Sequence, residues 1–143
     1  VLVPHASTTR VEARVLLVED EDAVRATVQR LLVRLGCTVR ATADGDSALA
    51  LLRAEPEAFD VVLSDVVMPG LHGRELLEAL RAVRADVPIV FVSGYLDGRL
   101  THRDLAEAGL EILAKPIDRE QLAAALLRAM ARPESSRVES RGA

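Results

Sequence analysis

Four places in this sequence hold side chains that could do chemistry together: Glu19 with Asp20, Asp65, Ser93 and Lys115. Each follows a short apolar run. Carboxylates brought close together repel one another unless a cation neutralises them. A hard divalent ion such as Mg2+, which prefers oxygen ligands and keeps several waters, suits that need. Beside such an ion, a lysine ammonium and a serine hydroxyl can hold an incoming anion, and phosphoryl is the natural one. An aspartate oxygen can attack phosphorus while Mg2+ and lysine neutralise the charge on the equatorial oxygens. The expected product is a covalent aspartyl-phosphate on Asp65.

The elements that must position these groups follow from the hydrophobic pattern. Apolar runs occur at residues 15 to 18 (VLLV), around Val39, and at residues 61 to 63 (VVL), 89 to 92 (IVFV) and 112 to 114 (ILA). Consecutive apolar positions predict strands covered on both faces. Residues 22 to 35 place Val24, Val28, Leu31, Leu32 and Leu35 on one helical stripe that ends at Gly36 as a C-cap. Residues 118 to 131 do the same with Leu122, Leu126, Leu127 and Met130, after Asp118 as N-cap. Residues 46 to 54, after Asp44-Gly45, and 73 to 84, after Pro69-Gly70, predict two more helices, and 97 to 108 a fifth. Strict alternation of five strands and five helices predicts an α/β fold with an open, doubly wound parallel sheet, whose ligands sit at the carboxyl ends of the strands. Glu19-Asp20, Asp65, Ser93 and Lys115 all fall there.

Composition narrows the function. A chain of 143 residues has the size of one domain, and half of its residues are apolar. The net charge of -4, with 22 acidic against 18 basic residues and no basic stripe, argues against nucleic-acid binding. No apolar run approaches the ~20 residues of a membrane-spanning helix. Cys37 is the single cysteine, which excludes an internal disulfide, favours a reducing compartment, and reads as a small buried apolar group. Residues 1 to 12 read as a linker and 132 to 143 as a tail, leaving 13 to 131 as the domain. The first residues carry no signal-peptide core, and the missing initiator Met points to a piece of a longer or processed chain. His5, His72 and His102 lack metal-ligand spacing and read as solvated, while Met68 and Met130 read as packing.

Taken in order, VLLVEDEDAVR, FDVVLSDVVMPGLHG, PIVFVSGY and LAKPI resemble a receiver domain of the two-component response-regulator family. The resemblance covers residues 13 to 131 and implies a flavodoxin-like strand order 2-1-3-4-5. It implies Asp65 as phospho-acceptor, with Asp20 and Asp65 as direct Mg2+ ligands, Glu19 acting through water and the Val67 backbone carbonyl as a further ligand; Mn2+ is a substitute metal. Ser93 would be the switch hydroxyl and Lys115 its partner on the phosphoryl group, and the bond between Lys115 and Pro116 would be cis. The implied phosphodonor is a histidine kinase or a histidine phosphotransfer protein, in the cytoplasm. The region 95 to 125 would be the switching face, by which a partner or a second copy in a homodimer is engaged. The opening segment and the SGY triplet look most like the C-terminal receiver of a hybrid sensor histidine kinase, with a stand-alone receiver as the alternative.

Two positions depart from the family pattern. Ile112 stands where many receivers carry a Tyr or Phe that rotates inward with the switch hydroxyl, so Tyr95 is the mobile aromatic this sequence offers instead. Glu19 stands where Asp is also common. Neither Val67 nor Tyr95 can position a hydrolytic water, which predicts a long-lived phospho-form.

Each motif alone has an ordinary explanation. The run EDED at 19 to 22 could be the acidic opening of a helix, Asp65 a cap, Ser93-Gly94 a loop and Lys115-Pro116 a strand end. Four strand ends carrying these groups together is what favours the phospho-acceptor. An aspartate-nucleophile phosphatase usually needs an acid two positions after the nucleophile, where this chain has Val67. A flavin or nucleotide binder needs a phosphate loop after the first strand, where EDEDA would repel the ligand. A degenerate receiver, acting as a phosphorylation-independent interaction module, is the remaining alternative, and the joint presence of Asp20, Asp65, Ser93 and Lys115 argues against it.

Overall fold

The computed structural model describes residues 9–66, 70, 73–94 and 110–131. Strands β1 (Arg14–Val18), β2 (Thr38–Thr42), β3 (Val61–Asp65), β4 (Ile89–Ser93) and β5 (Glu111–Ala114) form one sheet in the order β2-β1-β3-β4-β5. Every pairing is parallel. Helices α1 (Asp22–Leu35), α2 (Gly45–Ala54), α3 (Gly73–Val83) and α4 (Arg119–Ala131) cover the two faces. The expected fifth helix, at 97 to 108, lies outside the described residues, as do 1 to 8 and 132 to 143.

Why the strand sequences are apolar without alternation is visible in the packing. Val15 and Leu17 of β1, Val61 and Leu63 of β3 and Val90 and Val92 of β4 pack with Val28, Leu32 and Leu35 of α1 and with Leu122 and Leu126 of α4. Their neighbours Leu16, Val18, Val62, Ile89 and Phe91 pack on the opposite face with Leu49 and Leu52 of α2 and with Leu76 and Leu80 of α3. Successive side chains of a strand point to opposite faces, and both faces here are roofed, so both must be apolar. Each fully buried aliphatic side chain contributes roughly 1.5–3 kcal/mol.

The helix ends follow the sequence signals. Gly36 adopts φ 114°, and the capping amides after α1 bond to the carbonyls of Leu32 and Val33. Only a residue without Cβ adopts that left-handed conformation at no cost. The Asp44 carboxylate accepts from the Ser47 amide at 2.7 Å, and the Asp118 carboxylate accepts from the Gln121 amide at 3.0 Å. One helix face differs from expectation: Leu127 is 42% exposed, because it lies about 100° further round α4 than the buried Leu126. The chain is also packed before residue 13. Val11, placed in the expected linker, is buried in the core, its amide bonds to the Leu35 carbonyl at 2.8 Å, and its carbonyl accepts from the Cys37 thiol at 3.2 Å. Cys37 is buried, as a small apolar group would be.

The chain order reverses at β1, whose neighbours are β2 on one side and β3 on the other. In a doubly wound sheet, the crevice at the carboxyl ends of such strands is where ligands bind. The groups singled out in the sequence stand at that place.

Candidate functional site

Parallel register carries the site residues to one edge. Val18 pairs with Ser64 and Asp65 with Val92, so Glu19, Asp65 and Ser93 leave the ends of adjacent strands at nearly one level. Ser93 in turn pairs with Ala114, which brings Lys115 to the same rim. Carboxylate oxygens of Glu19, Asp20 and Asp65 all lie within 4.8 Å of one another. Glu19 and Asp65 are buried and Asp20 is half-buried.

Lys115 supplies the nearest positive charge, its Nζ donating to Asp65 Oδ2 at 2.8 Å. The bond between Lys115 and Pro116 is cis, the isomer the resemblance implies. The Lys115 amide bonds to the Ser93 carbonyl at 3.0 Å, tying the lysine to the end of β4. The Ser93 hydroxyl is buried and donates to the Gly94 carbonyl at 3.3 Å. Ile112 is half-buried and packs against the core on the α2/α3 face. Val67, Tyr95 and Met68 lie outside the described residues, and with them the expected carbonyl ligand and the expected mobile aromatic.

The electrostatics of the cluster have a direction. Burial pushes the Glu19 carboxyl up to about 7, and the charge of Asp65 and a carboxyl hydrogen bond with it push the same way; the Glu21 amide and Lys115 oppose them. The main cause is the loss of water around a buried carboxyl, which disfavours its charged form, and the neighbouring carboxylate adds to it. Three oxygen donors of the hard, anionic kind, gathered this closely, fit a divalent cation of the Mg2+ type.

Two residues that hold this arrangement were not singled out in the sequence. The Thr42 carbonyl accepts from the Glu19 amide at 3.0 Å, and the Thr42 hydroxyl donates to the Leu17 carbonyl at 2.9 Å, fixing the end of β1 against β2. Arg25 reaches back from α1 and donates to the Glu19 carbonyl at 2.9 Å. Its signal in the sequence was slight: a basic residue early in a helix, three positions after an acidic one.

Residues 15–127 match the family model described as the response regulator receiver domain. The chain belongs to the response-regulator receiver family. It is 41% identical over 121 residues to the sensor kinase CckA of Brucella abortus, a match that takes in 85% of this chain and 13% of that protein. The crystal structure of the receiver domain from a hybrid histidine kinase CckA superposes with a TM-score of 0.66 at 36% identity, covering 82% of this chain and 98% of that one. The chemotaxis protein CheY4 of Vibrio cholerae superposes with a TM-score of 0.70 at 31% identity, covering 83% and 99%. This chain therefore spans about an eighth of the length of the full sensor kinase it matches. As a receiver domain it is a phospho-acceptor signalling module of two-component systems.

Proposed function

We propose that Asp65 is the residue that takes the phosphoryl group, with Asp20 and Asp65 as direct ligands of a Mg2+ ion, Glu19 acting through water and the Val67 backbone carbonyl as a further ligand. The observation that carries the reading is the contact of Lys115 Nζ with Asp65 Oδ2 at 2.8 Å inside a cluster of three carboxylates. A bound Mg2+ would supply charge neutralisation for the oxygens of the transferring group.

The protein's own residues do the rest. An Asp65 carboxylate oxygen attacks the phosphorus of a phosphohistidine; the new O–P bond forms as the N–P bond breaks, and the imidazole nitrogen departs with the electron pair. The Lys115 ammonium, already on Asp65, is within reach of the phosphoryl oxygens that arrive there. Ser93 stands at the end of the neighbouring strand, and rotation of its hydroxyl from the Gly94 carbonyl to the phosphoryl group would couple chemistry to shape. The chain thus catalyses its own phosphorylation, and the donor is left with a free imidazole.

The donor, on this reading, is a histidine kinase or histidine phosphotransfer protein, and a hybrid kinase is the parent chain we favour, given the likeness to sensor kinases. The single, buried Cys37 suits a cytoplasmic setting. Among the described residues no helix is long and apolar enough to cross a membrane. Slow loss of phosphate is part of the proposal: Val67→Asn, which would offer an amide to a hydrolytic water, is expected to shorten the phospho-lifetime several-fold, and an unchanged or longer lifetime would sink that point.

Incubation of the full chain with Mg2+ and acetyl phosphate, read by intact mass, tests the central assignment. The wild type is expected to gain ~80 Da, one HPO3, and Asp65→Asn to gain nothing. An adduct that persists in the variant would place the acceptor elsewhere.

A further inference from the structure

We propose that Arg25 is the positioning residue of the acidic loop: its guanidinium holds the peptide between Glu19 and Asp20 so that their carboxylates converge with Asp65. This rests on the reading of that cluster as a Mg2+ site.

The start of α1 is built unlike those of α2 and α4. Asp44 and Asp118 cap the latter two through their own side chains, whereas Glu21, the residue before α1, makes no side-chain capping bond. The polar groups here serve the loop instead. Glu19 Oε2 accepts from the Glu21 amide at 3.1 Å, and Arg25 spans the gap, with Nη1 on the Glu19 carbonyl at 2.9 Å and Nη2 on Asp22 Oδ1 at 2.6 Å.

Helix stability does not account for that placement. A cation directed at a helix N-terminus opposes the dipole, and a cation is favoured at the other end. The partner Asp22 is 92% exposed, so the ion pair itself contributes little. What the guanidinium gains is the Glu19 carbonyl, and its side chain is only 23% exposed there.

That carbonyl matters because of where it lies. The peptide unit joining Glu19 to Asp20 is planar, so a bond to its oxygen restrains ψ of Glu19 and φ of Asp20 together. Those two dihedrals set how the Cα–Cβ bonds of Glu19 and Asp20, which carry two of the three carboxylates, are oriented relative to each other. The Thr42 carbonyl fastens the Glu19 amide on the near side, and Arg25 fastens the far side. Ligand oxygens held within 4.8 Å of one another beforehand bind an ion with less reorganisation.

Charge and position make opposite predictions, which gives the test its sign. A positive charge near the cluster opposes a second cation, so an Arg25 acting by charge alone would tighten Mg2+ binding when removed. An Arg25 acting by position would weaken it. Titration calorimetry of Mg2+ on the full chain, at constant ionic strength, is expected to give ~5-fold weaker binding for Arg25→Ala. Arg25→Lys keeps the charge without the two-pronged fork and is expected to remain weaker than wild type. Arg30→Ala removes the same charge from an exposed site on the same helix and is expected to stay within about twofold.

Binding by Arg25→Ala that equals or exceeds wild type would overturn the assignment, as would wild-type affinity in Arg25→Lys. If Arg25→Ala fails to fold, Arg25→Lys decides alone. A wild type that does not bind Mg2+ would overturn the metal reading and this inference with it; wild-type binding with unaffected variants overturns the inference only.

Discussion

Strands β1 and β3 lie side by side, and their two ends treat charge in opposite ways. At the amino ends, Arg14 and Asp60 form a closed pair. The guanidinium donates to both carboxylate oxygens at 3.1 and 2.9 Å, the Arg14 amide donates to the same carboxylate at 2.7 Å, and the Asp60 amide returns a bond to the Arg14 carbonyl at 2.8 Å. At the carboxyl ends, Glu19 and Asp65 are buried together with Asp20 beside them, and Lys115 pairs with Asp65. The first end holds its carboxyl below the usual range and the second pushes its carboxyl above it. One end staples the sheet. The other gathers negative charge which, on the proposed reading, a divalent cation would offset.

The two ends share one scaffold, and breaking it should cost both. Leu63 lies midway along β3 and is fully buried. Leu63→Ala is expected to lose about 2–5 kcal/mol in denaturant unfolding; a loss under ~1 kcal/mol would mean that the ends are held independently of the core between them.

The carboxyl end should gain stability when its charge is removed. The folded state holds a proton on Glu19 up to about pH 7, whereas the unfolded chain releases it near 4.5. Wild-type stability therefore falls as pH rises through that window. Glu19→Gln is expected to melt roughly 5 °C higher at about pH 8, to match wild type below 4.5, and to lose part of its advantage when Mg2+ is added. A variant less stable than wild type at about pH 8 would contradict the account of gathered charge.

The amino end should behave the other way, with a smaller effect. The Arg14 guanidinium, the burial it opposes and the Arg14 amide together leave Asp60 below its ordinary 3.8, so its contribution is present at neutral pH and lost as pH falls through and below that value. The pair is partly exposed and screened, and Asp60→Ala is expected to cost only about 1 kcal/mol at neutral pH. The gap between variant and wild type should close in acid, where the Glu19→Gln gap is also closed, and stay constant from 4.5 to 7, where the other opens. Unfolding curves of both variants across pH check the contrast.

How much of this was legible in the sequence follows from what each feature depends on. Continuous apolar runs named β1, β3 and β4, because burial on both faces leaves no alternation to confuse them with surface strands, whereas the edge strand β2 (TVRAT) alternates in exposure and was marked only by Val39 and its place in the order. Local chemistry named the helix ends at Gly36, Asp44 and Asp118. Strand-end placement then brought Glu19, Asp20, Asp65, Ser93 and Lys115 to one rim. The Arg14–Asp60 pair was not legible, since its partners are 46 residues apart and meet only through register. Arg25 was hidden for another reason: periodicity tells which face of α1 is apolar, and says nothing of a long side chain turning back past the helix start. Leu127 was misplaced because a leucine next to a stripe looks like part of it. The linker was set at 12 because Val11 alone among polar neighbours carries no periodic signal.

The most direct test of the central claim locates the phosphoryl group by chemistry at the acceptor itself. Borohydride reduces an acyl phosphate to the alcohol, so an aspartyl-phosphate becomes homoserine at the position that carried it. After phosphorylation in Mg2+, reduction and peptide sequencing by mass spectrometry, the account predicts homoserine at position 65 and aspartate retained at Asp20. Homoserine at another position, or none in a chain that has gained the phosphoryl mass, would contradict it.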